Sequence, residues 1–211
     1  MRLRYKPWAM GELEDNELIH FSPTENKGRW KEIFFNDNPI YLEIGAGRGR
    51  FTRMSAELNP DINYIALEME AGAFVYAGRL FLESGLKNIQ GVKAKAEEIS
   101  EIFAEDEVDR IYINFCNPWP KNRQHKRRLT HPRHLDLYKK VLKAGGLVIL
   151  KTDDREFFED SIKYFERSGF TCFDINYHLP ADAKDNIVTE YETRWRSQGV
   201  NICHLKAINE K

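Results

Sequence analysis

Ile40-Tyr-Leu-Glu-Ile44, running straight into Gly45-Ala-Gly47-Arg-Gly49, decides the fold of this chain. Ile40, Leu42 and Ile44 form an apolar run too short for a helix, and glycines bound it, so it reads as a buried strand. The glycines let the backbone turn tightly and approach a ligand closely. Working outward, 49–58 reads as a helix and Asn63 to Glu68 as a second strand. A helix over 71–84 stops at Gly85. Ile89 to Lys93 reads as a third strand, followed by a short helix near 97–103. Arg110 to Phe115 is the fourth strand, and a helix lies near 133–142. Leu147 to Lys151 is the fifth strand, entered through Gly145-Gly146. A helix over 155–167 ends at Gly169, and a sixth strand lies near 171–177. Residues 179–188 read as a loop, 189–197 as a short helix, and Asn201 to Ile208 as a last strand. Strands alternating with helices predict a parallel sheet covered on both faces. Residues 1–38 show little periodicity and read as an N-terminal extension to a domain over 39–211.

The composition bounds the function. At 211 residues, with 31% charged and 42% hydrophobic, the chain is globular. Its net charge of −1 gives no overall attraction to nucleic acid, so any such attraction must be local. Cys116, Cys172 and Cys203 are odd in number and lack CxxC spacing, which argues against a disulfide framework or a cysteine zinc site. His125, His131 and His134 share no metal-ligand spacing, and no metal is expected. The basic start Met1-Arg-Leu-Arg-Tyr-Lys6 precedes no apolar run, so a cytoplasmic protein without a membrane span is expected.

In an open α/β sheet, ligands bind beyond the carboxyl ends of the strands, where the strand order reverses. A dinucleotide fingerprint would require glycine at position 50, where Arg50 stands. Glu43, at the end of the first strand, would repel a pyrophosphate but attract the ammonium of an amino-acid moiety. That favours S-adenosylmethionine over NAD. Glu68, at the end of the second strand, suits both ribose hydroxyls. Near the third strand's end, Ala96 can offer a backbone N–H to adenine, whereas Lys95 offers no carboxylate to its amino group.

The fourth strand ends in Asn114-Phe-Cys-Asn117-Pro-Trp-Pro-Lys121. Two prolines around Trp119 stiffen this loop, and Pro118 holds Asn117 extended. The next stretch, to Arg133, contains six Lys/Arg residues and no acid, counting Lys121, and can bind phosphates. Asp154 reads as a helix cap, and Thr189 with Glu192 as a capping box.

These pieces resemble the bacterial tRNA (guanine-N7-)-methyltransferases. The resemblance rests on Arg4-Tyr-Lys-Pro-Trp8, Asn36 to Pro39, Glu43 to Gly45, Asn59 to Tyr64, Asn114-Phe115 with Pro118 to Lys121, Lys126 to Thr130, Lys151 to Asp153, and Thr189 to Glu192. It spans nearly the whole chain. It implies a Rossmann-like class I methyltransferase, three-layer αβα, with a mostly parallel seven-stranded sheet whose last strand is antiparallel. It implies S-adenosylmethionine as donor, tRNA as partner, and transfer to N7 of a guanine in the variable loop, by a monomer or homodimer. Glu43, Gly45, Glu68, Lys95, Ala96 and Asn117 fall at donor-binding positions, with Asn117 also at the catalytic one. Lys121, Arg123, Lys126, Arg127, Arg128, Asp153, Thr189, Glu190, Tyr191 and Glu192 fall at positions assigned to the RNA substrate. Lys95 and Asn117 each stand where the family has aspartate. Loss of both charges raises an alternative, a tRNA-binding protein with weak or lost transferase activity. Asn117-Pro-Trp119 also resembles the Asn-Pro-Pro-aromatic loop of exocyclic-amine methyltransferases. Trp8, Tyr5 and their basic neighbours either clamp RNA or fold onto the domain.

Overall fold

The computed structural model describes residues 6–21 and 23–211. Arg4 and Tyr5, part of the N-terminal motif, lie outside the described residues. In chain order the elements are α1 (Ala9–Glu14), β1 (Ile19–Phe21), α2 (Trp30–Phe34), β2 (Ile40–Ile44), α3 (Arg50–Leu58), β3 (Asn63–Glu68), α4 (Ala71–Ser84) and β4 (Ile89–Lys93). There follow α5 (Ile99–Ile102), β5 (Val108–Asn114), α6 (Pro132–Val141), β6 (Leu142–Thr152), α7 (Arg155–Arg167), β7 (Phe170–Asn176), α8 (Glu190–Arg196) and β8 (Cys203–Asn209).

One sheet holds the strands in the order β1-β4-β3-β2-β5-β6-β8-β7. Six of them, β1 to β6, run parallel. β8 runs antiparallel between β6 and β7, as the resemblance implies. The strand order reverses at β2, which pairs with β3 on one side and β5 on the other. A ligand crevice therefore opens at the carboxyl ends of β2 and β5.

The sheet separates two cores because side chains alternate along each strand. Ile65 and Leu67 of β3 enter the core under α5, α6 and α7, while Tyr64 and Ala66 enter the one under α1, α3 and α4. Helix ends follow local chemistry. Gly85 closes α4 in the left-handed conformation. The Asp154 carboxylate caps α7 by accepting from Phe157 N–H at 2.8 Å.

Two features differ from the reading of the sequence. The sheet has eight strands rather than seven, because Ile19-His-Phe21 pairs with Gly91 to Lys93 at its edge. Described residues before 39 pack on the same core, with Trp30 fully buried and its Nε1–H donating to Ile102 O at 3.0 Å. β6 also starts earlier than expected, running through Gly145-Gly146. All three cysteines are free, and no helix among the described residues is long and apolar enough to cross a membrane.

Candidate active site

A cavity of about 450 Å³ opens at the switch point. Three segments line it: Glu43 with Gly45 to Arg48, Arg50 and Phe51; Asn114 and Phe115 at the end of β5; and Thr189 to Tyr191 with Arg194 at the start of α8.

The glycine loop forms its floor. Gly47 has φ +56° and its N–H donates to the Glu68 carboxylate at 2.9 Å. A side chain at Gly47 would meet nothing within 4 Å, so the space above it is open to a ligand. Gly49 has a different reason to be glycine. A Cβ there would lie 2.7 Å from Ala77 and Phe81 of α4. The second Glu68 oxygen accepts from Glu70 N–H at 2.8 Å, so this acid clasps the loop and keeps only its remaining lone pairs for a ligand.

Glu43 is 5% exposed at the cavity wall. Its carboxylate accepts from Thr52 Oγ1 and from Asn114 Nδ2 at 3.1 Å. Burial pushes its pKa up to about 7, against the pull of those two hydrogen bonds. A buried carboxyl poised there gains most from a cationic partner. Asn114 was legible only as part of a motif and Thr52 not at all, because their hold on Glu43 depends on α3 and β5 converging on the same carboxylate.

The loop after β5 is held differently. Phe115 and Trp119 bracket it, both with positive φ (48° and 45°). Arg128, expected to contact RNA, is 1% exposed. Its Nε donates to Pro118 O and its Nη1 to the Asp160 carboxylate of α7, each at 2.7 Å. Buried and bonded to both Pro118 and α7, it braces the loop. Lys121, Arg123, Lys126 and Arg127 are exposed, and the Arg127 guanidinium lies 5.1 Å from the Trp119 ring centre. Asn117 does not line the cavity. It is exposed and its Oδ1 accepts from Trp119 N–H at 3.0 Å, closing a turn in its own loop.

The α8 motif also divides. Thr189 caps the helix by accepting from Glu192 N–H at 3.3 Å. Glu192, expected at the substrate, is fully buried. It pairs with Lys151 Nζ and Arg196 Nη2, both at 2.6 Å. Burial opposes its charge, but Lys151 and Arg196 outweigh that and hold its carboxyl below the usual range. It therefore anchors α8 rather than facing a base. Glu190 pairs with Arg50 across the cavity mouth. Tyr191 is 45% exposed with its ring centre 5.0 Å from Phe115. Asp153 is half-buried, and burial raises its carboxyl. Lys95 is exposed and its N–H donates to Glu98 at 2.7 Å, opening the turn that begins at buried Ala96. Neither lines the cavity. Among the described residues, no cluster of three or more His, Cys, Asp or Glu side chains is arranged to hold a metal ion.

Comparison with known proteins gives this geometry a family. Residues 37–205 match the family described as "Putative methyltransferase". A tRNA (guanine-N(7)-)-methyltransferase of Clostridium tetani is 49% identical over 208 residues, 98% of this chain and 99% of that protein. A protein of the same name from Clostridium beijerinckii is 46% identical over the full length of both.

The chain belongs to the tRNA (guanine-N(7)-)-methyltransferase family.

A relative of the same name from Desulfitobacterium hafniense is 44% identical over 96% of this chain and 94% of that one. Among solved structures, the 16S rRNA methyltransferase KamB superposes with a TM-score of 0.65 at 17% identity, covering 86% of this chain and 92% of that one. The aminoglycoside resistance methyltransferase NpmB1 does so at 0.62 and 18%, with the same coverage. Both share the Rossmann-like fold of class I methyltransferases.

Proposed function

We propose that this chain transfers a methyl group from S-adenosylmethionine to N7 of a guanine in the variable loop of tRNA. Near-full-length identity of 44–49% to curated relatives of that name carries the reading. Two features of the cavity support the donor: open space above Gly47 and a buried carboxylate at Glu43. When bound, S-adenosylmethionine supplies an electrophilic methyl carbon on a sulfonium.

The rest of the work falls to the protein. Glu43, held by Thr52 and Asn114, would take the donor's ammonium. The open space at Gly47 would admit the donor, and Glu68 would offer its free lone pairs to the ribose. Phe115 and Tyr191 flank the opening through which the base enters. Guanine N7 carries a free lone pair, so no residue needs to remove a proton before attack. Alignment and exclusion of water then supply the rate. The exposed Lys121, Arg123, Lys126 and Arg127 meet phosphates, and Glu190 at the cavity mouth and half-buried Asp153 are the carboxylates offered to the base. Asn117 shapes its loop and takes no part in proton transfer.

The test incubates the protein with methyl-labelled donor and unmodified tRNA and identifies the modified nucleoside. Base-labile 7-methylguanosine is the expected product. A methylated exocyclic amino group would replace this reading with the amine alternative, and tRNA binding without transfer would leave only an RNA-binding role.

A further inference from the structure

Arg48 belongs to two places at once. It lines the cavity, and its guanidinium carbon lies 5.0 Å from the centre of the Tyr76 ring on α4. The Lys6 ammonium lies 4.0 Å from the same ring centre, and donates to the Tyr76 hydroxyl at 2.7 Å and to Gly72 O at 3.0 Å. Arg79 stands one turn along the helix, its guanidinium 5.6 Å from Tyr76 and 5.1 Å from the Trp8 ring. Cations and aromatic rings thus alternate from the cavity rim across α4 to the start of α1. This ladder folds Lys6 and Trp8 onto the domain and leaves Trp8 46% exposed.

A role limited to fastening α1 does not explain that exposure. Ala9 and Leu13 already bury α1 at 0% and 1% exposure, and Glu12 pairs with Arg79 on the outside. An indole half in water beside guanidinium and ammonium groups is the kind of surface on which unpaired bases stack while cations meet their phosphates. A base that reaches into the cavity must leave its own stack, which frees its neighbours. The ladder starts at the rim where such neighbours emerge, on the side of the glycine loop rather than of the basic loop after β5.

Taking tRNA as the substrate, we infer that Trp8, Tyr76, Arg79, Lys6 and Arg48 form a second RNA-binding surface, which stacks unpaired nucleotides next to the target guanine. The full chain and unmodified tRNA test it. Trp8→Ala weakens tRNA binding about tenfold, the loss of one stacked base. Donor affinity stays unchanged, and Trp8→Phe restores most of the binding. Lys6→Ala lowers the slope of log affinity against log salt by about one. The inference is overturned if Trp8→Ala binds tRNA as tightly as wild type. It is also overturned if the loss follows a fall in melting temperature that Trp8→Phe does not repair. A wild-type protein that neither binds nor methylates tRNA would instead sink the reading of the substrate itself.

Discussion

The loops after β2 and β5 reach the same edge of the sheet and are made rigid by opposite means. The first is held by what its residues lack. Gly47 takes a left-handed turn so that its N–H meets Glu68, and Gly49 makes room for Ala77 and Phe81. The second is held by what other residues bring. Phe115 and Trp119 sit in backbone conformations that bulky residues avoid, and such strain persists only where the surroundings impose it. Phe115 N–H donates to Lys151 O at 2.8 Å, and the Arg128 guanidinium bridges Pro118 O to Asp160. A ligand platform can thus be made from missing side chains or from one buried cation, and the two respond differently to mutation.

Substitutions in each loop separate the two plans. Gly49→Ala forces a side chain into the left-handed region and against α4. We expect a loss of about 3–4 kcal/mol in denaturant unfolding; less than about 1 kcal/mol would show that α4 yields and that the loop is not packing-limited. Arg128→Ala frees the β5 loop while leaving the donor floor intact. The expected result is a fall of about 100-fold in kcat with unchanged donor affinity. A parallel fall in donor affinity would show that the two loops share one support.

Glu43→Gln tests the carboxylate between them. Wild type should bind donor more tightly as pH rises through about 7, when Glu43 ionises. The variant should bind about tenfold more weakly above that pH, differ little below it, and show no such rise by calorimetry. Without donor the sign reverses. The folded carboxyl keeps its proton to about 7 while the unfolded one releases it near 4.5, so wild type loses stability as pH climbs through that interval and the variant does not. The smallest effect belongs to Asn117→Asp. Aspartate keeps the acceptor for Trp119 N–H at an exposed site, so activity should stay within about twofold of wild type. A large gain would return position 117 to the chemistry.

The same contrast explains what could be read from the residues alone. The glycine loop was legible, as were α4 and α7, whose bounds agree with 71–84 and 155–167, because local spacing, glycine stops and the Asp154 cap set them. β1 was not legible, since three residues carry no periodicity and their partners, Gly91 to Lys93, lie far along the chain. Arg128 read as one more charge in a basic run, yet the run divides at it, with Lys126 and Arg127 in water and Arg128 against Asp160. Glu192 likewise read as a ligand because nothing nearby in sequence announces that Lys151, at the end of β6, points at it.

The placement of β8 carries a consequence for how the molecule assembles. β7 precedes β8 in the chain but lies beyond it in the sheet, so β6 cannot complete its outer edge by pairing with the strand made next. Leu147 waits for Ile208 and Thr152 for Cys203. During synthesis the edge of β6 therefore stays open until β8 leaves the ribosome. Its alternation of buried Cys203, Leu205 and Ala207 with more exposed residues then fixes which face of β8 turns inward. Assembly of this edge is thus gated by β8, and a chain lacking β8 would present β6 as an adhesive surface rather than as a smaller domain.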